Sequence, residues 1–356
     1  MQYAYVMILS EIKKKIKQEG LVYVNDKSSG WFRQKSRNVF TYYNTRGERI
    51  KDEEKLSRIR SLGIPPAWEK VWVSPKRNGH IQATGIDERG RKQYIYHPDW
   101  IKIGQENKFS KMIDFGLNLP LIRQKVRYNM KEGGLPREKI IATIVWLLEH
   151  TFIRIGNEEY SKENNSFGLT TLRNRHVTIK SGEVVFKFRG KSGVFNTLEI
   201  NNPTVVKTIK KCVELPGYEL FQYFDDENVR HTVDSQDVNE FLKDITKNDF
   251  SAKDFRTWGG SILSSNQFYK FGNSPDKKTL KKNITETVKK VSKHLNNTVA
   301  VCRSYYIHPT IFETYQKEIL VPHFSYYEKA RSKKEGLSWD EYALIKLLQK
   351  YPHTPT

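Results

Sequence analysis

Two regimes of hydrophobic spacing divide this chain. In the first hundred residues the apolar positions fall in short β-favouring runs: Leu21 to Val24, Val39 to Tyr43, Val71 to Val73, His80 to Thr84 and Gln93 to His97. Clusters of Asn, Asp, Gly and Pro separate them, as turn residues separate strands. From Ser110 the spacing turns helical: Ser110 to Asn129, Arg137 to Thr151 and Asn202 to Leu215 carry apolar residues at helical intervals, with Pro203 where a first turn tolerates it. Asn157 to Glu163 is polar and reads as a continuation of the preceding helix. His176 to Lys180, Val184 to Phe188 and Val194 to Ile200 form a β island, joined by Ser181-Gly182 and by Arg189-Gly190-Lys191-Ser192-Gly193. That pattern predicts a three-stranded meander with Lys191 at a hairpin tip. Helical spacing resumes over Ser235 to Asn248, Ile262 to Phe271, Lys277 to Leu295 and Ile311 to Lys317. After Ala330 the chain is basic, then weakly helical from Trp339 to Lys350, which reads as a closing helix or a loose extension. The fold class predicted is α+β: a small, mostly β N-terminal domain over residues 1–104, a mostly α domain with a small antiparallel sheet over 105–330, and a tail over 331–356.

Composition narrows the function. With 37% hydrophobic and 12% aromatic residues the 356-residue chain can fill a core, so it is not a disordered polyelectrolyte. Its formal net charge is +21, an excess that points to a polyanionic partner, above all nucleic acid. No apolar run is long enough to span a bilayer, and no basic amphipathic helix with a lipid anchor argues for a membrane surface. At the N-terminus the charge of Glu11 to Lys15 follows the apolar stretch instead of preceding it, unlike a secretory signal. Cys212 and Cys302 form neither a ligand pair nor a disulfide framework, so an intracellular, cytoplasmic protein without a metal is expected.

The candidate chemistry lies in Cys302-Arg303-Ser304-Tyr305-Tyr306-Ile307-His308-Pro309 and in three cations upstream of it. A tyrosine is a poor nucleophile at neutral pH; to attack a DNA phosphate it needs a cationic cage and a proton donor for the leaving oxygen. Arg154, Lys191 and Arg256 suit those tasks, though each has an ordinary reading. Arg154 could pair with Glu158 at i+4 on a helix surface. Lys191 could be a turn lysine; it cannot belong to a Gly-x-x-x-x-Gly-Lys-Ser phosphate loop, because Val185 stands where that pattern needs glycine. Arg256 could cap a helix or pair with Asp254, and Tyr305 and Tyr306 compete for the role of nucleophile among 19 tyrosines.

Several ordered blocks across residues 20 to 325 resemble type IB DNA topoisomerases of the small poxvirus and bacterial branch. They are Gly63 to Trp68, Trp72 to Pro75, His80 to Gly85, Gly90 to Pro98, Phe152 to Asn157, Gly168 to Leu172, Asp254 to Gly259 and the tyrosine segment. The resemblance implies a two-domain clamp on duplex DNA whose second domain is related to the tyrosine recombinase catalytic fold. It implies relaxation of supercoils through a 3′-phosphotyrosyl link, with no ATP, metal or other cofactor, by a monomer. The nucleophile of the family directly precedes Ile-His-Pro, which selects Tyr306; Arg154 and Arg256 would clamp the phosphate and Lys191 would be the general acid. Asn297, nine positions before the tyrosine (306 − 297), stands where poxvirus enzymes have histidine and bacterial relatives asparagine. Either hydrogen-bonds a phosphate oxygen, but asparagine cannot act as a proton carrier, which leaves His308 a structural role. Gln93, Tyr94 and Tyr96 match N-terminal positions that touch DNA, and alternation puts the two tyrosines on one strand face. Asn157 and Tyr160 match positions that face the major groove, with Asn157 replacing a lysine.

Two other readings compete. A tyrosine recombinase uses the same covalent chemistry, but recombinases usually carry histidine where this chain has Lys253, and their N-terminal domain is helical. A non-catalytic architectural DNA-binding protein accounts for the charge but not for the ordered blocks. Lysine in excess of arginine, with frequent Asn, Tyr and Ile, fits an AT-rich genome: a large cytoplasmic DNA virus, with action in the viral factory or virion, or a bacterium.

Overall fold

A computed structural model describes residues 20–36, 39–88, 90, 92–331 and 334–353, with no side chain described at 102–108, 110, 159, 160 and 163. The N-terminal segment compared above with a secretory signal lies outside the described residues. The chain divides between Asn107 and Lys108 into two units, with an N-terminal antiparallel sheet in the first and a mostly helical second.

In the first unit, β1 (Trp31–Ser36), β2 (Val39–Tyr43), β3 (Glu69–Val73), β4 (Ile81–Ile86) and β5 (Lys92–Tyr96) form one antiparallel sheet in the order β2-β1-β3-β4-β5. Strand alternation sends Trp31, Val71, Val73 and Ala83 into a core closed by Ile59 of helix α1 (Glu53–Ser61) and by Ile50. Asp52 caps α1, accepting from the backbone N–H of Glu54 at 3.0 Å and of Lys55 at 3.1 Å. The Leu21–Val24 strand is absent: Val22 makes a single bridge to Gly79. Val22 N–H donates to Asn78 O at 2.8 Å and Val22 O accepts from His80 N–H at 3.0 Å, while Leu21 is buried and Tyr23 stacks on His80, so the segment is held by one bridge and side-chain packing and not by a ladder. Conversely, polar spacing hid β1 and the highly charged α1.

Helix α2 (Pro98–Met130) carries the chain into the second unit. There α3 (Arg137–Thr151) spans the range its periodicity predicts, with Ile140, Ile144, Val145, Leu147 and Leu148 fully buried. A short α4 (Glu158–Asn164) follows, then the meander β6 (Val177–Lys180), β7 (Glu183–Arg189) and β8 (Phe195–Ile200). Helix α5 (Pro203–Glu214) leads to a small hairpin, β9 (Gln222–Phe224) with β10 (Arg230–Thr232), and then to α6 (Ser235–Thr246). Helix α7 (Ala252–Phe271) starts ten residues before the predicted Ile262 (262 − 252), because Gly259 and Gly260 interrupt the apolar pattern without interrupting the helix. A β-carbon on Gly259 would meet the Phe152 ring closer than 3.0 Å, so these glycines serve close approach, not a turn. Helices α8 (Lys277–His294), α9 (Val299–Tyr305), α10 (Pro309–Gln316), α11 (Leu320–Lys329) and α12 (Trp339–Lys350) complete the unit. The tail is a closing helix: Ala343, Leu344, Ile345, Leu347 and Leu348 of α12 are buried, and Glu341 holds Arg123.

Candidate active site

The site is assembled from three chain turns that meet around one cleft. The first follows α3. Phe152 takes a left-handed conformation (φ 52°) that ends the helix, and Arg154 lies in the non-helical link to α4. This corrects the helix-surface expectation for Arg154: the helix has stopped three residues earlier (154 − 151), so Arg154 and Glu158 do not share a helical face. The link is fixed by the backbone around Gly168, where Leu169 N–H donates to the Arg154 carbonyl at 3.0 Å and Thr170 N–H to that of Ile155 at 2.7 Å. A β-carbon on Gly168 would collide with Gly156 closer than 3.0 Å.

The second turn is the β7–β8 hairpin. Its tip is a single 3-10 turn over Lys191–Gly193, with Ser192 (φ 63°) and Gly193 (φ 80°) left-handed and Gly190 N–H donating to Val194 O at 2.7 Å. Lys191 is exposed at this tip. The third turn ends α8: Asn296 is left-handed (φ 46°), and Asn297 N–H donates back to Ser292 O at 3.0 Å.

These turns and helix α7 bring Arg154, Lys191 and Arg256 to the walls of one cleft, together with Phe152, Asn196, His294, Leu295 and Asn296. Arg256 comes from α7 and is 4% exposed. Its Nη2 donates to Leu295 O at 2.8 Å and its Nη1 to Phe152 O, while its buried Nε–H has no partner among the described residues. A buried guanidinium donor left unmade is costly, so an acceptor oxygen that reached it would be favoured. Arg154 Nη1 donates to Asn296 O at 3.3 Å. The two arginines are thus both anchored on the same short backbone, residues 295–296.

Asn297 and Tyr306 are not among the cleft walls. Asn297 follows directly on Asn296 and accepts from Thr298 N–H through Oδ1 at 3.0 Å. Tyr306, at the end of α9, is half-buried, and its ring centre lies 5.0 Å from the Arg256 guanidinium. Its carbonyl accepts from Ser261 Oγ at 3.3 Å. Tyr305 is 36% exposed on the preceding turn. His308 is buried, and its Nδ1 accepts from Thr310 N–H at 3.2 Å, capping α10. Burial and the neighbouring His353 push its pKa down to about 4, so it is a neutral cap at physiological pH.

In the first unit, Tyr94 and Tyr96 stack at 5.8 Å with planes 9° apart, exposed on one sheet face. Gln93 is not brought onto that face: alternation turns it to the side of Ile95, where its Nε2 donates to Asp87 Oδ2 at 2.9 Å. Asn157 is exposed, and its carbonyl receives Ser161 N–H at 3.0 Å in the first turn of α4. The Tyr160 side chain lies outside those described. Sequence reasoning missed Asn196 and Asn296. The only signal for Asn196 is its place in β8 in step with Leu198 and Ile200, which turn inward.

Comparison with known proteins gives the class first. Residues 100–334 match the family described as eukaryotic DNA topoisomerase I, catalytic core, and residues 39–87 match bacterial DNA topoisomerase IB, N-terminal domain. DNA topoisomerase 1B of Acanthamoeba polyphaga mimivirus is 31% identical over 306 residues, covering 83% of this chain and 90% of that protein. DNA topoisomerase 1B of vaccinia virus (strain Copenhagen) is 25% identical over 239 residues, covering 65% and 71%. DNA topoisomerase 1 of Mycosarcoma maydis is 30% identical over 173 residues, covering 44% and 17%. The chain belongs to the type IB DNA topoisomerase family.

Proposed function

We propose that this chain relaxes supercoiled duplex DNA by cutting one strand transiently through Tyr306. The phenolic oxygen attacks a backbone phosphorus in line. Arg154, Arg256 and Asn297 hold the non-bridging oxygens against the charge that builds in the pentacoordinate transition state. Lys191 gives its proton to the departing 5′ oxygen. A 3′-phosphotyrosyl ester and a free 5′ hydroxyl result; the cut strand rotates, and the hydroxyl attacks back and releases the tyrosine. The ester conserves the energy of the phosphodiester, so the cycle needs neither ATP nor a metal. Tyr94 and Tyr96, with Asn157 and Tyr160, are read as further DNA contacts, and the remaining basic side chains as phosphate contacts that set affinity.

The convergence of Arg154, Lys191 and Arg256 on one cleft, with the Tyr306 ring 5.0 Å from Arg256, supports this reading most directly. The unpartnered Arg256 Nε–H supports it further, since a phosphate oxygen would satisfy that donor. One chain supplies every group named, so a monomer suffices, and the second unit is read as related to the tyrosine recombinase catalytic fold, whose members use the same covalent chemistry. The test is relaxation of positively and negatively supercoiled plasmid with EDTA and without ATP. Relaxation of both signs is expected. Strand exchange between duplexes without relaxation would replace this reading with the recombinase.

A further inference from the structure

The hairpin that carries Lys191 is tied to the backbone that anchors both arginines by one pair of amides. Asn196, 7% exposed on β8, accepts from Asn296 Nδ2 at 2.6 Å through its Oδ1. Its own Nδ2 donates to Val194 O at 3.1 Å. That carbonyl also receives Gly190 N–H at 2.7 Å, so Asn196 braces the base of the tip on which Lys191 sits. Space for this amide exists only because residue 190 is glycine: a β-carbon there would meet Asn196 Nδ2 closer than 3.0 Å. On the other side, Asn296 presents its carbonyl to Arg154 Nη1, while the adjacent Leu295 carbonyl receives Arg256 Nη2. Asn296 therefore has its backbone in the arginine scaffold and its side chain on the lysine hairpin. Among the described hydrogen bonds between side chains, the Asn196–Asn296 pair alone joins β8 to the loop after α8.

We propose that the Asn196–Asn296 amide pair is a positioning latch that holds the Lys191 hairpin closed over the cleft, setting the distance from the lysine ammonium to the leaving 5′ oxygen. A hairpin tip has few contacts of its own, and an ångström of misplacement at a proton donor is enough to lose most of its effect. In this assignment both asparagines act through Lys191 and not on the reacting atoms. The proposal rests on Lys191 being the general acid.

The test uses the full-length protein and duplex oligonucleotides carrying a cleavage site mapped on plasmid DNA. One series has the natural 5′ oxygen at the scissile bond and the other a bridging sulfur. A thiolate leaves without a proton, so sulfur bypasses the general acid but not the phosphate clamp. Single-turnover cleavage is measured for Asn196→Ala, Asn296→Gly, the double variant, Lys191→Ala and Arg154→Ala. Glycine at 296 keeps the left-handed backbone and the carbonyl given to Arg154, and removes only the amide. Expected are losses of about 10²-fold on the oxygen substrate for each latch variant, no further loss in the double variant, and recovery to within about threefold of the parent rate on sulfur. Equal losses on both substrates, or no loss, would overturn the latch if Lys191→Ala is rescued by sulfur. Failure of sulfur to rescue Lys191→Ala would instead overturn the assignment of the acid. Rescue itself shows that a variant is folded.

Discussion

Gly260 stands against Tyr306 so closely that a β-carbon there would fall closer than 3.0 Å to the Tyr306 carbonyl oxygen. Helix α7 presents a bare backbone at this point, and the tyrosine segment lies directly on it, pinned by Ser261 Oγ. Gly260→Ala should therefore displace Tyr306 while improving intrinsic helix propensity. The expected outcome is a single-turnover cleavage rate lower by about 10²-fold with DNA affinity retained, measured on trapped covalent complex and by equilibrium binding.

Arg256 is placed by its geometry as well as its charge. Its fork reaches the Phe152 and Leu295 carbonyls at once, which a lysine ammonium on a longer flexible stem cannot reproduce. Arg256→Lys should lower cleavage by about 10²-fold and stability by about 2 kcal/mol, read from rapid-quench kinetics and denaturant titration.

His308 gives the fold an acid-sensitive point next to Tyr306. Its folded pKa of about 4 lies below the ordinary value of 6.5. Between those values the unfolded chain binds the proton and the folded chain does not, so stability falls as pH drops from 6.5 to 4 and changes little from this source below that. The effect amounts to at most about 3 kcal/mol. His308→Asn, which keeps a side-chain acceptor for the α10 cap, should flatten the Tm profile across that window.

Glu341 ties the closing helix to α2. Arg123 donates to its two carboxylate oxygens at 2.6 and 2.9 Å and to Glu149 at 2.6 Å. Burial pushes the Glu341 carboxyl up, but the hydrogen bonds and charge of Arg123 outweigh it and hold the pKa below 4.5. This contribution is present above pH 4.5 and is lost as pH falls through the depressed value, a lower window than that of His308. Glu341→Ala should cost about 3 kcal/mol in urea titration at neutral pH, and truncation after Ala330, which also removes the buried apolar side chains of α12, should cost more.

The sequence made helices legible where apolar residues recur at helical intervals, as in Arg137–Thr151 and Trp339–Lys350, whose observed bounds match the spacing. It hid elements whose stability comes from elsewhere: β1 pairs through its backbone on both sides, α1 buries only Ile59 fully, and α9 is a short capped turn. Arg154 and Arg256 were legible because each stands in a block shared with the family, and Lys191 because the glycines around it announce a hairpin tip. Their scaffold was not. The left-handed Phe152 that frees Arg154 from the helix carries no glycine to announce it, and the Asn196–Asn296 contact joins residues 100 apart.

The measurement that tests the central claim most directly is identification of the residue that becomes esterified to DNA. Supercoiled plasmid is incubated with the protein and quenched in denaturant; the nuclease- and protease-digested adduct is then sequenced by mass spectrometry. A tyrosine-306 peptide on a 3′ phosphate is expected, with no adduct but intact DNA binding in Tyr306→Phe. An adduct on Tyr305, a link to a 5′ phosphate, or full relaxation by Tyr306→Phe would contradict the account.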